Sequence, residues 1–135
     1  MSQPVANVVV AIIKRLRASG EAEYLLISSK KDFGEFTGAW YPPGGHIEDG
    51  EDEATALRRE LKEELDLDVM PIIKMAETPG DVPNQVTHWW AAEVLSGPIR
   101  LDEKELRAAG WFTQTEMSHL TLWPATQHFL QYPRL

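Results

Sequence analysis

The sequence predicts a mixed β-sheet carrying helices, an α/β or α+β sandwich, and three observations lead there. Short runs rich in Val, Ile and aromatic residues recur along the chain, separated by Gly/Pro-punctuated turns. Residues 51–65 have helical periodicity. A length of 135 residues at 43% hydrophobic content supports one core, so a single domain over residues 1–135 is expected.

The elements follow in order. Residues 5–16 are Val/Ile-rich and read as a first strand, and "EYLLISS" at residues 23–29 reads as its neighbour across the turn "RASGEA". "KKDFGEFTGAWYPPGG" is a structured loop around a short strand at Trp40 and Tyr41. The helix over residues 51–65 comes next. "VMPIIKMA" and "VTHWWAAEVL" then read as two strands separated by the loop "ETPGDVPNQ", and "AAGWF" as a last short strand. "TQTEM" and "PATQHFLQ" read as short helices, the second opening on Pro124, whose missing N–H is tolerated in a first helical turn.

Charge is concentrated in one place. The formal net charge is −8, and residues 44–69 hold ten acidic and three basic side chains, so −7 of it lies there and −1 in the rest. Such a chain lacks the Lys/Arg patches that neutralise phosphate backbones, and no nucleic-acid polymer is expected as a partner. The absence of cysteine excludes disulfides and thiolate chemistry. The apolar run over residues 8–13 is too short to span a bilayer and lacks the preceding basic residues of a secretory signal. A cytoplasmic monomer or homodimer with no membrane partner is therefore expected.

Within the acidic stretch, Ala54, Leu57, Leu61 and Leu65 recur at three- and four-residue spacing and form one apolar stripe. Glu60, Glu63 and Glu64 fall beside it, with side chains about 5–6 Å apart at Cβ, where like charges repel by roughly 0.2–0.5 kcal/mol per exposed pair. An acidic run on a helix is ordinarily a solvated face. These acids instead border the buried stripe, where desolvation worsens repulsion. Pro42-Pro43-Gly44-Gly45 precedes the helix, and its glycines can aim a carbonyl at the same spot. Clustered hard oxygen donors without Cys suit Mg²⁺ or Mn²⁺ rather than zinc. An EF-hand is excluded, because its ligands alternate along a loop.

Gly45, five residues, Glu51, seven residues, then Arg59-Glu60-Leu61-Lys62-Glu63-Glu64 and Leu67 resembles the Nudix box, the signature of the Nudix hydrolases. "WYPPGGHIEDGE" is similar to the usual approach to that box. The resemblance implies a Nudix-type α/β/α sandwich with a mixed β-sheet over nearly the whole chain. One position departs: the family usually has glycine where this chain has Asp66, at a helix exit often closed by a left-handed residue.

The resemblance further implies that Glu60, Glu63 and Glu64 bind divalent metal with help from the Gly45 carbonyl, and that Arg59 pairs with Glu51. It implies Mg²⁺-dependent hydrolysis of a pyrophosphate linkage, with Mn²⁺ as an alternative ion. The general base would be Glu60 or an acid of "LDEKELRAAGWF", for which Glu105, six residues before Trp111, is chosen and Glu103 held in reserve. Nucleotide bases commonly stack on aromatic rings, and Phe33, Phe36, Trp40, Tyr41, Trp89 and Trp90 are available. Phe36, Trp40, Tyr41 and Trp90 are the expected substrate contacts, with Lys31 at distal phosphates. Pro83, sixteen residues after Leu67, resembles a marker of ADP-ribose pyrophosphatases, whereas "HWW" and "GWF" look more like small nucleoside triphosphate or dinucleoside polyphosphate hydrolases. The expected substrate is thus a small nucleotide of the latter kinds. The alternatives are ADP-ribose or a nucleotide sugar, or a non-catalytic Nudix-like binding module.

Overall fold

A computed structural model describes residues 5–131. The strands are β1 (Ala6–Leu16), β2 (Ala22–Ser29), β3 (Trp40–Tyr41), β4 (Gly44–His46), β5 (Asp68–Pro79), β6 (Gln85–Ser96) and β7 (Leu106–Thr113). The helices are α1 (Glu53–Leu65), α2 (Gln114–Met117) and α3 (Pro124–Leu130), with a 3-10 turn at Gly34–Phe36. The seven strands form one mixed sheet. No helix among the described residues is long and apolar enough to cross a membrane.

β1 runs through the centre. One edge pairs in parallel with β6 from Ala6↔Gln85 to Ile13↔Ala92, and the other takes β4 antiparallel at Val8–Val10. Beyond that point Lys14–Leu16 pair with β2, so β1 changes partners along its length. β2 carries β7 on one edge and shares the other between the end of β1 and β3. β5 closes the far side against β6.

Both faces of β1 and β2 are buried, and period-two alternation divides them. Val9, Ala11, Ile13, Leu25 and Ile27 pack against Ala56, Leu57, Leu61 and Leu65 of α1. Val10, Ile12, Tyr24 and Leu26 pack on the opposite face with Met117 of α2 and Phe129 of α3. This is the expected sandwich of helices on both faces of a mixed sheet.

Local chemistry sets the element ends. Asp52 caps α1 by accepting from Thr55 N–H at 2.7 Å, so the helix begins at Glu53 and not at Glu51, which stays in the preceding loop. The buried stripe uses Ala56 where periodicity suggested Ala54, which is only half-buried. Thr113 and Glu116 form a reciprocal capping box on α2. Asp66 closes α1 in the left-handed conformation, φ 54° and ψ 34°. Gly44–His46, expected as loop, is a strand, because its backbone completes the free edge of β1; Ala11 N–H donates to Pro43 O and Ile47 N–H to Asn7 O on either side.

Candidate active site

The box folds back on itself where β4 meets α1. The Glu60 carboxylate packs directly on Gly45: a Cβ there would displace it. A Cβ at Gly44 would strike the Val9 carbonyl, and the Gly44 N–H donates to Glu64 Oε1 at 3.3 Å. The two glycines therefore let α1 and β1 close on β4, and bring Glu60 and Glu64 onto the same short backbone segment.

Arg59 organises the acids around it. Its Nε and Nη2 donate to both oxygens of Glu51 at 2.7 and 2.9 Å, a forked pair, and Nη2 also donates to the His46 carbonyl at 3.0 Å. Nη1 reaches Glu60 at 3.1 Å and Glu63 at 3.3 Å. Helix α1, the loop before it and β4 are thus tied by one guanidinium. The Arg59 fork holds the Glu51 carboxyl down at about 2, while Arg59 itself is raised by the same partner.

The inner acids behave differently. Burial pushes the Glu64 carboxyl up to about 8, helped by the charge of Glu60, against the pull of the Gly44 N–H. Burial also raises Glu60, although Arg59 opposes it. Glu63 is 59% exposed and points outward from the pair. One guanidinium does not balance this many carboxylates, and every donor is oxygen. The Glu60, Glu63 and Glu64 carboxylates are the kind of donor set that a hard divalent cation such as Mg²⁺ or Mn²⁺ accepts.

Glu105 lies on the same side. Its backbone carbonyl accepts from Lys30 N–H at 3.0 Å, and its carboxylate faces Lys31 Nζ at 3.7 Å. Its charge reaches both Glu64 and Tyr41, whose hydroxyl is raised to about 12 by burial and then by Glu64. Glu103 is exposed in the turn before β7.

Beside Gly44 and Gly45 opens a cavity of about 300 Å³ walled by Phe33, Tyr41, Trp89 and Trp123, with Asp81 and Val82 from the loop between β5 and β6. Tyr41 lines it. Phe36 reaches it only by stacking on Trp123, ring centroids 5.0 Å apart. Trp40 packs edge-on against Phe112 in the core layer under α2 and α3, and Trp90 donates Nε1–H to Glu53 at 2.9 Å at the start of α1. Neither lines this cavity. Trp123 and Asp81 were not singled out in the sequence; the one signal was a tryptophan directly before the helix-opening Pro124.

A second acidic group lies at the start of α1, where ligand atoms of Glu53, Glu77 and His88 lie within 4.8 Å of one another. Lys74 Nζ sits among them, 3.0 Å from Glu53 Oε1 and 3.0 Å from His88 Nδ1, and also paired with Glu77. An ammonium only donates, so His88 accepts at Nδ1, and its Nε2–H donates to Asn7 Oδ1 at 2.9 Å. A resident cation already fills this group.

Comparison with known proteins agrees with the geometry. The NUDIX domain model matches residues 5–132. The chain is similar to the NAD-capped RNA hydrolase NudC of Haemophilus influenzae, 30% identical over 67% of this chain and 34% of that protein. It is also similar to NudC of Pectobacterium carotovorum, 32% identical over 56% of this chain and 29% of that protein. The chain thus spans about a third or less of these curated relatives. Among solved structures, a MutT NUDIX hydrolase from Burkholderia pseudomallei superposes with a TM-score of 0.79 at 26% identity, covering 96% of this chain and 98% of that one. With the box spacing, the carboxylates drawn onto Gly44–Gly45 and a domain match over nearly its whole length, the chain belongs to the NUDIX domain family, as a Nudix hydrolase domain.

Proposed function

We propose that this chain hydrolyses a pyrophosphate linkage of a small nucleotide, a nucleoside triphosphate or a dinucleoside polyphosphate, with Mg²⁺ or Mn²⁺ held by Glu60, Glu63, Glu64 and the Gly45 carbonyl. The single observation that carries this is the convergence of Glu60 and Glu64 on Gly44–Gly45, at the wall of an aromatic-lined cavity. A bound divalent ion would neutralise phosphate oxygens and acidify water. Arg59 holds Glu51, Glu60 and Glu63 in place and keeps the box loop against α1. The Glu105 carboxylate, 55% exposed and loosely paired with Lys31, takes the proton of the attacking water while the P–O bond to the leaving phosphate breaks. Lys31 stands beside Glu105, where its ammonium meets a distal phosphate of the substrate. Intact box carboxylates argue against a non-catalytic module.

The test is a substrate panel with Mg²⁺: the common nucleoside triphosphates, diadenosine polyphosphates, ADP-ribose and a nucleotide sugar, scored for phosphate, pyrophosphate and nucleotide products. Turnover of a triphosphate or dinucleoside polyphosphate that chelation abolishes is the expected result. Folded, metal-supplied protein that releases nothing from any member would overturn the proposal, and turnover confined to ADP-ribose would replace the substrate.

A further inference from the structure

The cavity beside the box carries one charged side chain that hydrolysis does not need. Asp81 comes from the loop between β5 and β6, and its Oδ1 accepts from Ala125 N–H at 2.8 Å, which pins the loop to the first turn of α3. The Asp81 backbone N–H in turn donates to Gln85 Oε1 at 3.0 Å, so the residue is anchored through its backbone as well as its carboxylate. A carboxylate is an unsuitable neighbour for a phosphate chain. Beside the metal-binding acids it is suitable only for the uncharged end of a nucleotide.

The surroundings of Asp81 have the shape and chemistry of a ring clamp. Phe33 and Val82 are 41% and 54% exposed, and both line this one cavity from loops on different sides. Phe33 meets Trp123 edge to face at 5.0 Å and 78°, while Phe36 stacks on Trp123 at 28°, so the tryptophan is braced in place. Planar rings stack on such surfaces whatever their edge pattern. Stacking therefore supplies affinity, and the acceptor at Asp81 supplies choice.

We infer that Asp81 selects the base of the substrate, favouring cytosine, adenine and guanine over uracil and thymine. Ionised aspartate only accepts hydrogen bonds. Cytosine and adenine offer an exocyclic amine and guanine an amine beside a ring N–H, each able to donate to it. Uracil and thymine offer one ring N–H flanked by two carbonyl oxygens, which a carboxylate repels. This inference rests on the proposed nucleotide hydrolysis for its substrate class, though the cavity binds the base whether or not the metal is present.

The experiment has two arms. In the first, kcat/KM for CTP, ATP, GTP, UTP and dTTP with Mg²⁺ is compared for the parent, Asp81→Asn and Phe33→Ala. Asparagine keeps an oxygen for the Ala125 N–H but adds donors of its own. The parent is expected to prefer the amino-bearing triphosphates at least about tenfold. Asp81→Asn should bring that ratio close to one, mainly through KM, while Phe33→Ala should weaken all five alike and leave the ratio intact. In the second arm, tryptophan quenching without metal measures binding of CMP and UMP, and CMP should bind more tightly to the parent only. No preference in the parent, or a ratio that Asp81→Asn leaves unchanged, overturns the inference. If no triphosphate is hydrolysed, hydrolysis itself fails, and the CMP/UMP binding ratio still decides whether Asp81 selects. If Asp81→Asn does not fold, Asp81→Ser takes its place in the quenching arm: a CMP/UMP ratio close to one supports the inference, and the parent's ratio overturns it.

Discussion

Two cations beside α1 sit among acids, and the contrast between them separates binding from bracing. Arg59 lies within ion-pair distance of Glu48, Glu51, Glu60 and Glu63, with Glu64 behind them. Lys74 faces Glu53, Glu77 and the Nδ1 of His88. Closeness of ligand atoms alone favours the Lys74 group as a metal site. Charge balance reverses that choice. Glu77 is lowered by the Lys74 ammonium, and Glu53 is lowered too, by hydrogen bonds from Trp90 and Lys74 that outweigh its burial. Around Arg59 the innermost acids are raised by burial, Glu64 to about 8. Acids held in the charged form by a resident ammonium are a brace. Acids pushed toward the neutral form, with only oxygen donors around them, call for a further cation.

The largest expected effect breaks the metal side of that contrast. Glu64→Gln should lower kcat by more than about a hundredfold, whereas the metal-free protein should melt at the same temperature or higher, because a buried charge is gone. The pH dependence follows from the sign of the shift. A carboxyl raised from its ordinary value to about 8 stabilises the fold fully below about pH 4.5 and loses that contribution as pH rises through about 8. Metal-free parent should therefore lose melting temperature between about pH 5 and about pH 8, and Glu64→Gln should lose less, because only the raised Glu60 carboxyl remains. A parallel loss in both proteins, followed by scanning calorimetry with chelator present, would assign the acid face to solvent.

Arg59→Ala comes next and differs in kind, because it removes the brace and leaves its acids behind. Breaking a mostly buried, multiply bonded guanidinium should cost about 2–3 kcal/mol of stability and lower turnover as well. A urea midpoint equal to that of the parent would show that the loop before α1 is held by its backbone alone. Lys74→Met sharpens the other half: it should cost about 1 kcal/mol and leave kcat with Mg²⁺ unchanged. Loss of activity in folded Lys74→Met protein would mean that the second cluster shares in the chemistry.

The same contrast explains what was legible in the sequence. The box is a local pattern: Glu60, Glu63 and Glu64 lie on one helix, and Arg59 reaches Glu51 across eight residues, so spacing reveals both. The sheet was readable because the β1 and β2 residues alternate strictly between two buried faces. The Lys74 group joins β1, α1, β5 and β6, and the cavity joins β1, β4, β6 and the loops carrying Phe33, Asp81 and Trp123; their members meet through strand pairing and loop contacts between distant segments. No window of sequence contains them. Trp90 illustrates the cost: as an aromatic beside Trp89 it was a fair stacking candidate, yet strand alternation turns it to the α1 face, where it serves Glu53. Gly44–His46 escaped because its strand character comes from the edge of β1 and not from its own Gly-rich composition.

The smallest expected effect concerns the one residue where the box departs from its family. Asp66 ends α1 at φ 54°, a conformation in which a Cβ is strained and glycine is not. Its side chain contributes an ion pair with Lys62 at 3.2 Å, but both partners are about half-exposed, so that pair is worth little in water. Asp66 N–H donates to Lys62 O and Leu67 N–H to Leu61 O, closing the helix through backbone groups that any residue supplies. Relief of strain should therefore outweigh the lost pair, and Asp66→Gly should raise stability by up to about 1 kcal/mol. Turnover should stay the same, because the Asp66 carboxylate is paired to Lys62 and exposed, outside the group converging on Gly44–Gly45. Stability measured at low and at high salt separates the two contributions: the gain should be larger at high salt, where the Lys62 pair is screened. A variant less stable than the parent under both conditions would show that Asp66 holds the helix end by more than its backbone.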